Sequence, residues 1–179
     1  MQQIARQDRI AFRTLLQRHS RRMIALAQNT LGVAAEAEDV VQEAFIRVWT
    51  KAATFEPGRA QFTTWMHRIV LNLCIDRVRK PHAISSGDEL PDPPDDTPDA
   101  LGQALASERR ATVLHAMRQL PTRQRAALAL FHFQELSARE CAASMEVSES
   151  AFESLLTRAR AALRDQLKNF IHQGGSTDG

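Results

Sequence analysis

A chain of 179 residues with 44% hydrophobic content has enough apolar side chain for one domain or two small ones. Aromatic content is only 6%, tyrosine is absent and glycine is scarce, while Ala, Leu, Arg, Gln and Glu dominate; this balance favours an all-α fold over a sheet. The formal net charge of +2 is modest, no apolar run approaches membrane-spanning length, and no leader-like segment precedes the first helical stretch, so the chain is expected to be cytoplasmic with no membrane insertion.

The net charge hides an asymmetry. Residues 1–80 carry 13 basic against 7 acidic side chains (+6), residues 81–99 carry six acidic and no Lys or Arg (−6), and residues 100–179 carry 10 against 8 (+2). Basic flanks suit a polyanionic partner, although +6 over 80 residues is a moderate signal.

In chain order, residues 8–30 carry Ile10, Leu15, Leu16, Met23, Ile24, Leu26 and Ala27 at helical spacing, with Gly32 placed to end the helix. A second helix, 35–52, collects Val40, Val41, Ala44, Phe45 and Val48 on one face. Its outward face holds Asp39, Gln42 and Glu43 with Ile46 among them. A β-branched apolar residue among acids is wasteful on a free surface but sensible under a basic, partly apolar partner; the plainer reading is a stray surface residue. A loop through Phe55 and Arg59 to Gln61 leads to a third helix, 62–80, whose buried side is expected to be Phe62, Met66, Ile69, Val70 and Leu73. Arg68, Asn72 and Asp76 form an i, i+4, i+8 stripe on another side, and Arg79 and Lys80 close the helix. Arg, Asn and carboxylates can read base edges, and Arg and Lys grip phosphate; taken alone, a solvated helix face explains the stripe equally well.

Five of the seven prolines fall in 81–99, and a flexible, acidic, Pro-rich linker is expected over 81–105. A second helical unit follows. Its helices are expected at 106–119, stopped by Pro121; at 123–133, capped by Thr122; a short one opened by the capping-box sequence Ser137-Ala138-Arg139-Glu140; and a last one capped by Ser148 and running to about 168. The tail, 171–179, is expected to be disordered. The short helix, the turn Met145-Glu146-Val147 and the long last helix match a helix-turn-helix. In the last helix Phe152, Leu155, Leu156, Ala159 and Leu163 cluster on one side. Ser150, Ser154, Thr157 and Ala161 lie opposite, flanked by Glu153, Arg158, Arg160 and Arg164. Small polar residues permit close approach to a groove and arginines at its edge hold phosphates, although any amphipathic helix shows such a split.

The remaining chemistry is sparse. Cys74 and Cys141 sit inside helical patterns without a CxxC or His/Cys cluster, and are read as buried, reduced thiols. The six histidines are scattered and neither HExxH nor a phosphate loop appears, so no metal, cofactor, small-molecule substrate or enzymatic activity is expected.

Taken together, Asp39-Val40-Val41-Gln42-Glu43-Ala44-Phe45, then Phe62-Thr63-Thr64-Trp65 with Arg68-Ile69, Asn72, Asp76 and Arg79, and finally Ser154-Leu155-Leu156-Thr157-Arg158-Ala159-Arg160 resemble extracytoplasmic-function sigma factors, the small two-domain initiation subunits of bacterial RNA polymerase. The resemblance covers about 8–80 and 106–168 and implies two helical domains, 1–80 and 106–170, joined by the linker. It also implies roles. Asp39, Gln42, Glu43 and Ile46 would dock on the β′ coiled coil of core RNA polymerase, with the β flap a further contact. The loop with Phe55, Arg59 and Gln61 would catch a base flipped from the melted −10 strand. Arg68, Asn72, Asp76, Arg79 and Lys80 would face the −10 element; Ser150, Glu153, Ser154, Thr157, Arg158, Arg160 and Arg164 would face the −35 element. The linker would thread through the polymerase, and an anti-sigma factor is implied as a regulator. Two departures stand out: Glu153 and Leu155 where relatives often carry Lys or Arg, and Glu146 where the turn often has Gly, at a cost of roughly 1 kcal/mol for a left-handed backbone. The competing reading is a stand-alone helix-turn-helix regulator with an N-terminal helical sensor, which would be expected to bind a palindromic site as a dimer.

Overall fold

The computed structural model describes residues 1–56, 58, 61–79 and 100–174, with side chains in the last stretch described over 109–170. Every element among them is helical: α1 (Gln2–Ala5), α2 (Arg9–Leu31), α3 (Ala34–Thr50), a 3-10 turn (Ala52–Thr54), α4 (Phe62–Arg79), α5 (Ala100–Arg118), α6 (Thr122–Leu128), a π-helical turn (Ala129–Phe133), α7 (Ala138–Met145) and α8 (Glu149–Gly174).

The first unit is α1–α4. Asp8 caps α2, its Oδ1 accepting from the backbone N–H of Ile10 at 2.8 Å and of Ala11 at 3.0 Å. Gly32 ends the helix in the left-handed region at φ 81°, as its place in the sequence implies. Val40, Val41, Ala44, Phe45 and Val48 of α3 are all buried and meet Met23, Leu26 and Ala27 of α2 and Met66, Val70 and Leu73 of α4. Ile10 departs from expectation: it is 80% exposed, because the first turn of α2 runs past the core. Ile4 of the unanticipated α1 is buried instead.

The second unit is α5–α8, gathered around Phe152, Leu128, Leu130, Met117 and Ala159. The Ser137 hydroxyl accepts from the Glu140 N–H at 3.3 Å and the Glu140 carboxylate accepts from the Ser137 N–H at 3.0 Å, which is the capping box read from the sequence. Ser148 caps α8 through the Ala151 N–H at 3.2 Å. Thr122 is not a cap. It is the first residue of α6 after Pro121, and its hydroxyl instead accepts from Arg125 at 3.3 Å. α5 begins at Ala100, so the last residues of the expected linker are helical, while 81–99 lie outside the described residues. α8 continues to Gly174, beyond the expected limit near 168, and Phe170 lies against the His115 ring of α5 at 5.6 Å, which extends the packed seam.

The two units are in contact. α6 lies on α2 and α7 on α4. Arg125 of α6 reaches across to donate to the Thr30 carbonyl of α2 at 2.6 Å, and also to Arg118 O at 2.9 Å. Gln134, buried just after the π-helical turn, and Arg22 of α2 bind each other reciprocally: the Gln134 amide donates to Arg22 O at 3.1 Å, and the Arg22 guanidinium donates to Gln134 O at 3.0 Å and Oε1 at 3.3 Å. Four hydrogen bonds thus cross between the units, three of them donated by a guanidinium, and they fix the relative placement of the units more sharply than apolar packing alone.

Candidate nucleic-acid interface

α4 is buried on two sides. Met66, Val70 and Leu73 face the first unit's core as expected, and His67, Leu71 and Cys74 form a second buried stripe. α4 packs on α6 and α7 of the other unit as well as on α2 and α3 of its own, so more of its surface is buried than one apolar stripe accounts for. Burial pushes the Cys74 thiol up to about 12, and that of Cys141 likewise, and both cysteines are free, in keeping with inert reduced thiols.

Between the two buried sides the stripe Arg68, Asn72 and Asp76 reaches the surface. Asn72 is exposed. Asp76 pairs with Arg79 at 3.3 Å, so these two largely cancel. Arg68 is half-covered and its Nη1 donates to Glu146 Oε1 of the helix-turn-helix turn at 3.0 Å. Next to Arg68 the loop after the 3-10 turn closes on aromatic rings. Phe55 lies 5.3 Å from Trp65 and 6.1 Å from Phe62, centroid to centroid. A cavity of about 410 Å³ opens there, lined by Thr54, Phe55, Glu56, Thr64, Trp65, Arg68 and Ala143. Gln61 is exposed at its edge of α4, while Arg59 and Lys80 lie outside the described residues. Aromatic faces beside a guanidinium are the equipment that stacks and holds an unpaired base. Trp65 was the residue that helical periodicity underrated. Its proximity in sequence to Phe62 marked it, but only the loop's return shows the three rings together.

On α3, Asp39, Gln42 and Ile46 are exposed, Ile46 at 62%. Glu43 is half-buried and paired with Arg47 one turn on at 2.6 Å. Asp39 lies 3.9 Å from Arg77 of α4, a loose tie between the two helices. The face is therefore less acidic than the bare sequence implies, and Ile46 is its apolar centre.

α8 divides cleanly. Phe152, Leu156 and Ala159 are buried, with Leu155 and Leu163 partly so, while Ser150, Glu153, Ser154, Thr157, Arg158, Arg160 and Arg164 are all exposed. Arg160 is held in place, its guanidinium 5.0 Å over the Phe131 ring and its Nε 3.3 Å from His132 Nε2. Arg158 reaches only back to the Ser154 carbonyl at 3.3 Å. The turn before α8 closes at Glu146 with φ 55° and ψ 45°, so the glutamate occupies the left-handed position where glycine is favoured.

Two family models match the chain: Sigma-70 region 2 over residues 15–83 and Sigma-70 region 4 over 110–163. The chain is 32% identical over 167 residues to the extracytoplasmic-function RNA polymerase sigma factor SigM of Mycobacterium tuberculosis, covering 93% of this chain and 82% of that one. It is 29% identical over 188 residues to SigW of Bacillus subtilis, covering 94% and 95%. Among solved structures it is similar to CnrH in complex with the cytosolic domain of CnrY, with a TM-score of 0.67 at 26% identity over 93% of this chain and 94% of that one. It shares its fold with RpoE of Bartonella quintana, solved with the anti-sigma factor NepR, at a TM-score of 0.69 and 22% identity over 88% and 97%.

Proposed function

The chain belongs to the extracytoplasmic-function sigma factors, which direct RNA polymerase to promoters, and from that premise we propose how its surfaces divide the work. α3 docks on the polymerase through Ile46, with Asp39, Gln42 and Glu43 around it, and the β′ coiled coil is the element it fits. α4 and the aromatic loop take the −10 element: Arg68, Asn72 and Asp76 along the helix, Phe55 at the cavity and Gln61 just before the helix, and the cavity itself receives a base turned out of the stack. α8 takes the −35 element: Ser154, Thr157 and Arg158 toward base edges, Ser150 and Glu153 at the leading end, Arg160 and Arg164 toward phosphates. The β flap of the polymerase and an anti-sigma factor complete the partners that family membership supports. No helix among the described residues is long and apolar enough to cross a membrane, and we place the factor in the cytoplasm with the polymerase.

One observation carries this reading. Two helices, one in each matched region, are seated in a core and hold a polar, arginine-bearing side outward. The test is transcription from a library of single-base promoter variants. Asn72→Ala should lower discrimination within the −10 element only, and Ser154→Ala or Arg158→Ala within the −35 element only, each by about 1–3 kcal/mol at one position. If Asn72→Ala moved preferences only in the −35 region, or Ser154→Ala only in the −10 region, the assignment of the two helices would be wrong.

A further inference from the structure

The largest excess of positive charge lies on a surface that neither reading helix uses. Of the +6 carried by residues 1–80, +5 falls within residues 1–22, which hold six arginines against Asp8. By comparison α4 has three arginines against Asp76, and α8 has three arginines and Lys168 against Glu149, Glu153 and Asp165. Arg22 is engaged by Gln134. Arg13, Arg18 and Arg21 are exposed and enter no ion pair among the described residues. At about 100° per residue, Ile10, Thr14, Gln17 and Arg21 form the ridge of α2 opposite its buried Met23, Leu26 and Ala27, with Arg13 on one side of the ridge and Arg18 on the other. Ile10, 80% exposed, is the apolar point of this basic face.

α1 makes the face concave. Its joint with α2 is fixed: the Gln7 N–H donates to Ile4 O at 2.9 Å and the Asp8 N–H to Gln3 O at 3.1 Å, with Gln7 held in the left-handed region at φ 64°. Between the helices opens a cavity of about 400 Å³, whose walls include Gln3, Ile4, Ile10, Thr14, Arg18 and His19. The aromatic-loop cavity is its match in size, at about 410 Å³, and its neighbour. The His19 ring lies 5.2 Å from that of Phe62, which lies 6.1 Å from Phe55 and 6.2 Å from Trp65 on the wall of the other cavity. α1 also rests on the 3-10 turn that leads into the aromatic loop. We propose that α1 and α2 form a second seat for the unpaired DNA strand: a nucleotide adjoining the one captured by the aromatic loop places its base in the α1–α2 cavity against Ile10 and His19, and Arg13, Arg18 and Arg21 hold phosphates. A cationic rim that follows the backbone, beside apolar and ring surface that takes a base, is the equipment of single-strand binding, and the neighbouring cavity supplies the strand. The second seat presupposes the capture of a flipped base proposed above; the charge and the cavity do not.

The test is holoenzyme, core RNA polymerase with the full-length protein, titrated on a promoter fragment whose −10 region is held unpaired by mismatches, with an abasic sugar placed at each unpaired position in turn. Thr14→Trp fills the α1–α2 cavity and should abolish the abasic penalty, about fivefold in affinity for a lost base contact, at one position. Ile10→Ser should weaken the penalty at that same position, and at 80% exposure it cannot do so by unfolding the helix. Trp65→Ala should act at an adjoining position instead. Combined Arg13→Ala, Arg18→Ala and Arg21→Ala should lower the slope of log affinity against log salt by about 2, at about 0.7 per single-strand phosphate. The melting temperature and the affinity for core polymerase without DNA should hold in the arginine variant. The parental abasic profile in both Thr14→Trp and Ile10→Ser would overturn the cavity, and the parental salt slope in the triple variant would overturn the phosphate contacts. Loss of core polymerase binding by the triple variant would make the face a protein-binding one and overturn the second seat as a whole. The aromatic-loop reading fails on a different result: Trp65→Ala would then leave every abasic penalty unchanged, while Thr14→Trp still erased one.

Discussion

α4 and α8 are the two amphipathic helices proposed to read DNA, yet the molecule treats them differently. α8 is seated through one side, Phe152, Leu156 and Ala159, and every residue assigned to DNA on its other side is exposed. α4 is gripped from two sides, by α2 and α3 of its own unit and by α6 and α7 of the other. Its foremost arginine is already engaged by Glu146, and Asp76 and Arg79 engage each other. The difference is that between a polar side left open and one whose charged groups already have partners within the molecule. A helix face at the margin of a fold displays its function, whereas a face at a junction between units is shared between function and packing.

The largest effect that would break the comparison lies in the core beneath α8. Phe152 is fully buried against Phe131, and Phe152→Ala should cost about 3–5 kcal/mol, measured by urea denaturation followed by circular dichroism. Discrimination in the −35 element should fall with it although Phe152 touches no DNA. A loss below about 1 kcal/mol would mean that α8 does not depend on this seat.

The second concerns the junction. The His67 pKa is lowered from 6.5 to about 4 chiefly by burial, with the charges of Arg22 and His19 adding to the effect and Glu140 opposing it; His19 is lowered in the same sense by its own burial. Above pH 6.5 the imidazole is neutral whether folded or unfolded, and the packing is at full strength. As the pH falls from 6.5 toward 4, the unfolded chain takes up a proton that the folded one refuses, and stability is lost by roughly 3 kcal/mol at most. Urea midpoints at pH 7.5 and pH 5.0 should therefore differ in the parent and differ much less in His67→Gln. An equal drop in both proteins would remove His67 as the cause.

Much of this was legible in the sequence, and what was not has a physical reason. The end of α2 and the starts of α7 and α8 followed from Gly32, Ser137 and Ser148, since caps are local chemistry; the Asp8 cap of α2 went unread. The cores of α3 and α8 followed from period alone, because each buries a single face. On α4 the period located Met66, Val70 and Leu73 but not His67, Leu71 and Cys74, which widen the buried side of a helix that packs on both units. Ile10 was misplaced for the converse reason, since a helix's first turn can run past the core its pattern points to. The residues assigned to function were visible as types and spacings. That Glu43 is paired with Arg47, Arg68 with Glu146, and that Arg160 is held over Phe131 and against His132 was not, since those partners are set by side-chain geometry or long-range packing.

A third experiment sharpens the contrast by adding a surface that neither unit's packing disturbs. Ile46 is 62% exposed on α3, so Ile46→Glu opens no core cavity and should leave helicity and urea midpoint unchanged. Affinity for core RNA polymerase should fall by about 2 kcal/mol or more, as for a central interface residue, in a fluorescence titration. Unchanged affinity with a normal fold would remove α3 as the docking face.

The smallest effects separate two arginines on α8 itself. Arg160 stacks on Phe131 and meets His132, while Arg164 makes no ion pair among the described residues. An exposed cation over a ring contributes about 0.5–1 kcal/mol, so Arg160→Ala should lower stability by that amount, whereas Arg164→Ala should leave it unchanged. On DNA the two should converge. If each guanidinium neutralises one phosphate, either substitution should weaken holoenzyme binding to all promoters evenly and reduce the slope of log affinity against log salt by about 1. Arg160 starts from a fixed position and so loses less side-chain freedom on binding, which makes its substitution the more costly of the two for affinity. Equal stability in the two variants would mean that the Phe131 stack contributes nothing. A base-specific rather than uniform loss from Arg164→Ala would move that residue from the phosphates to the base edges.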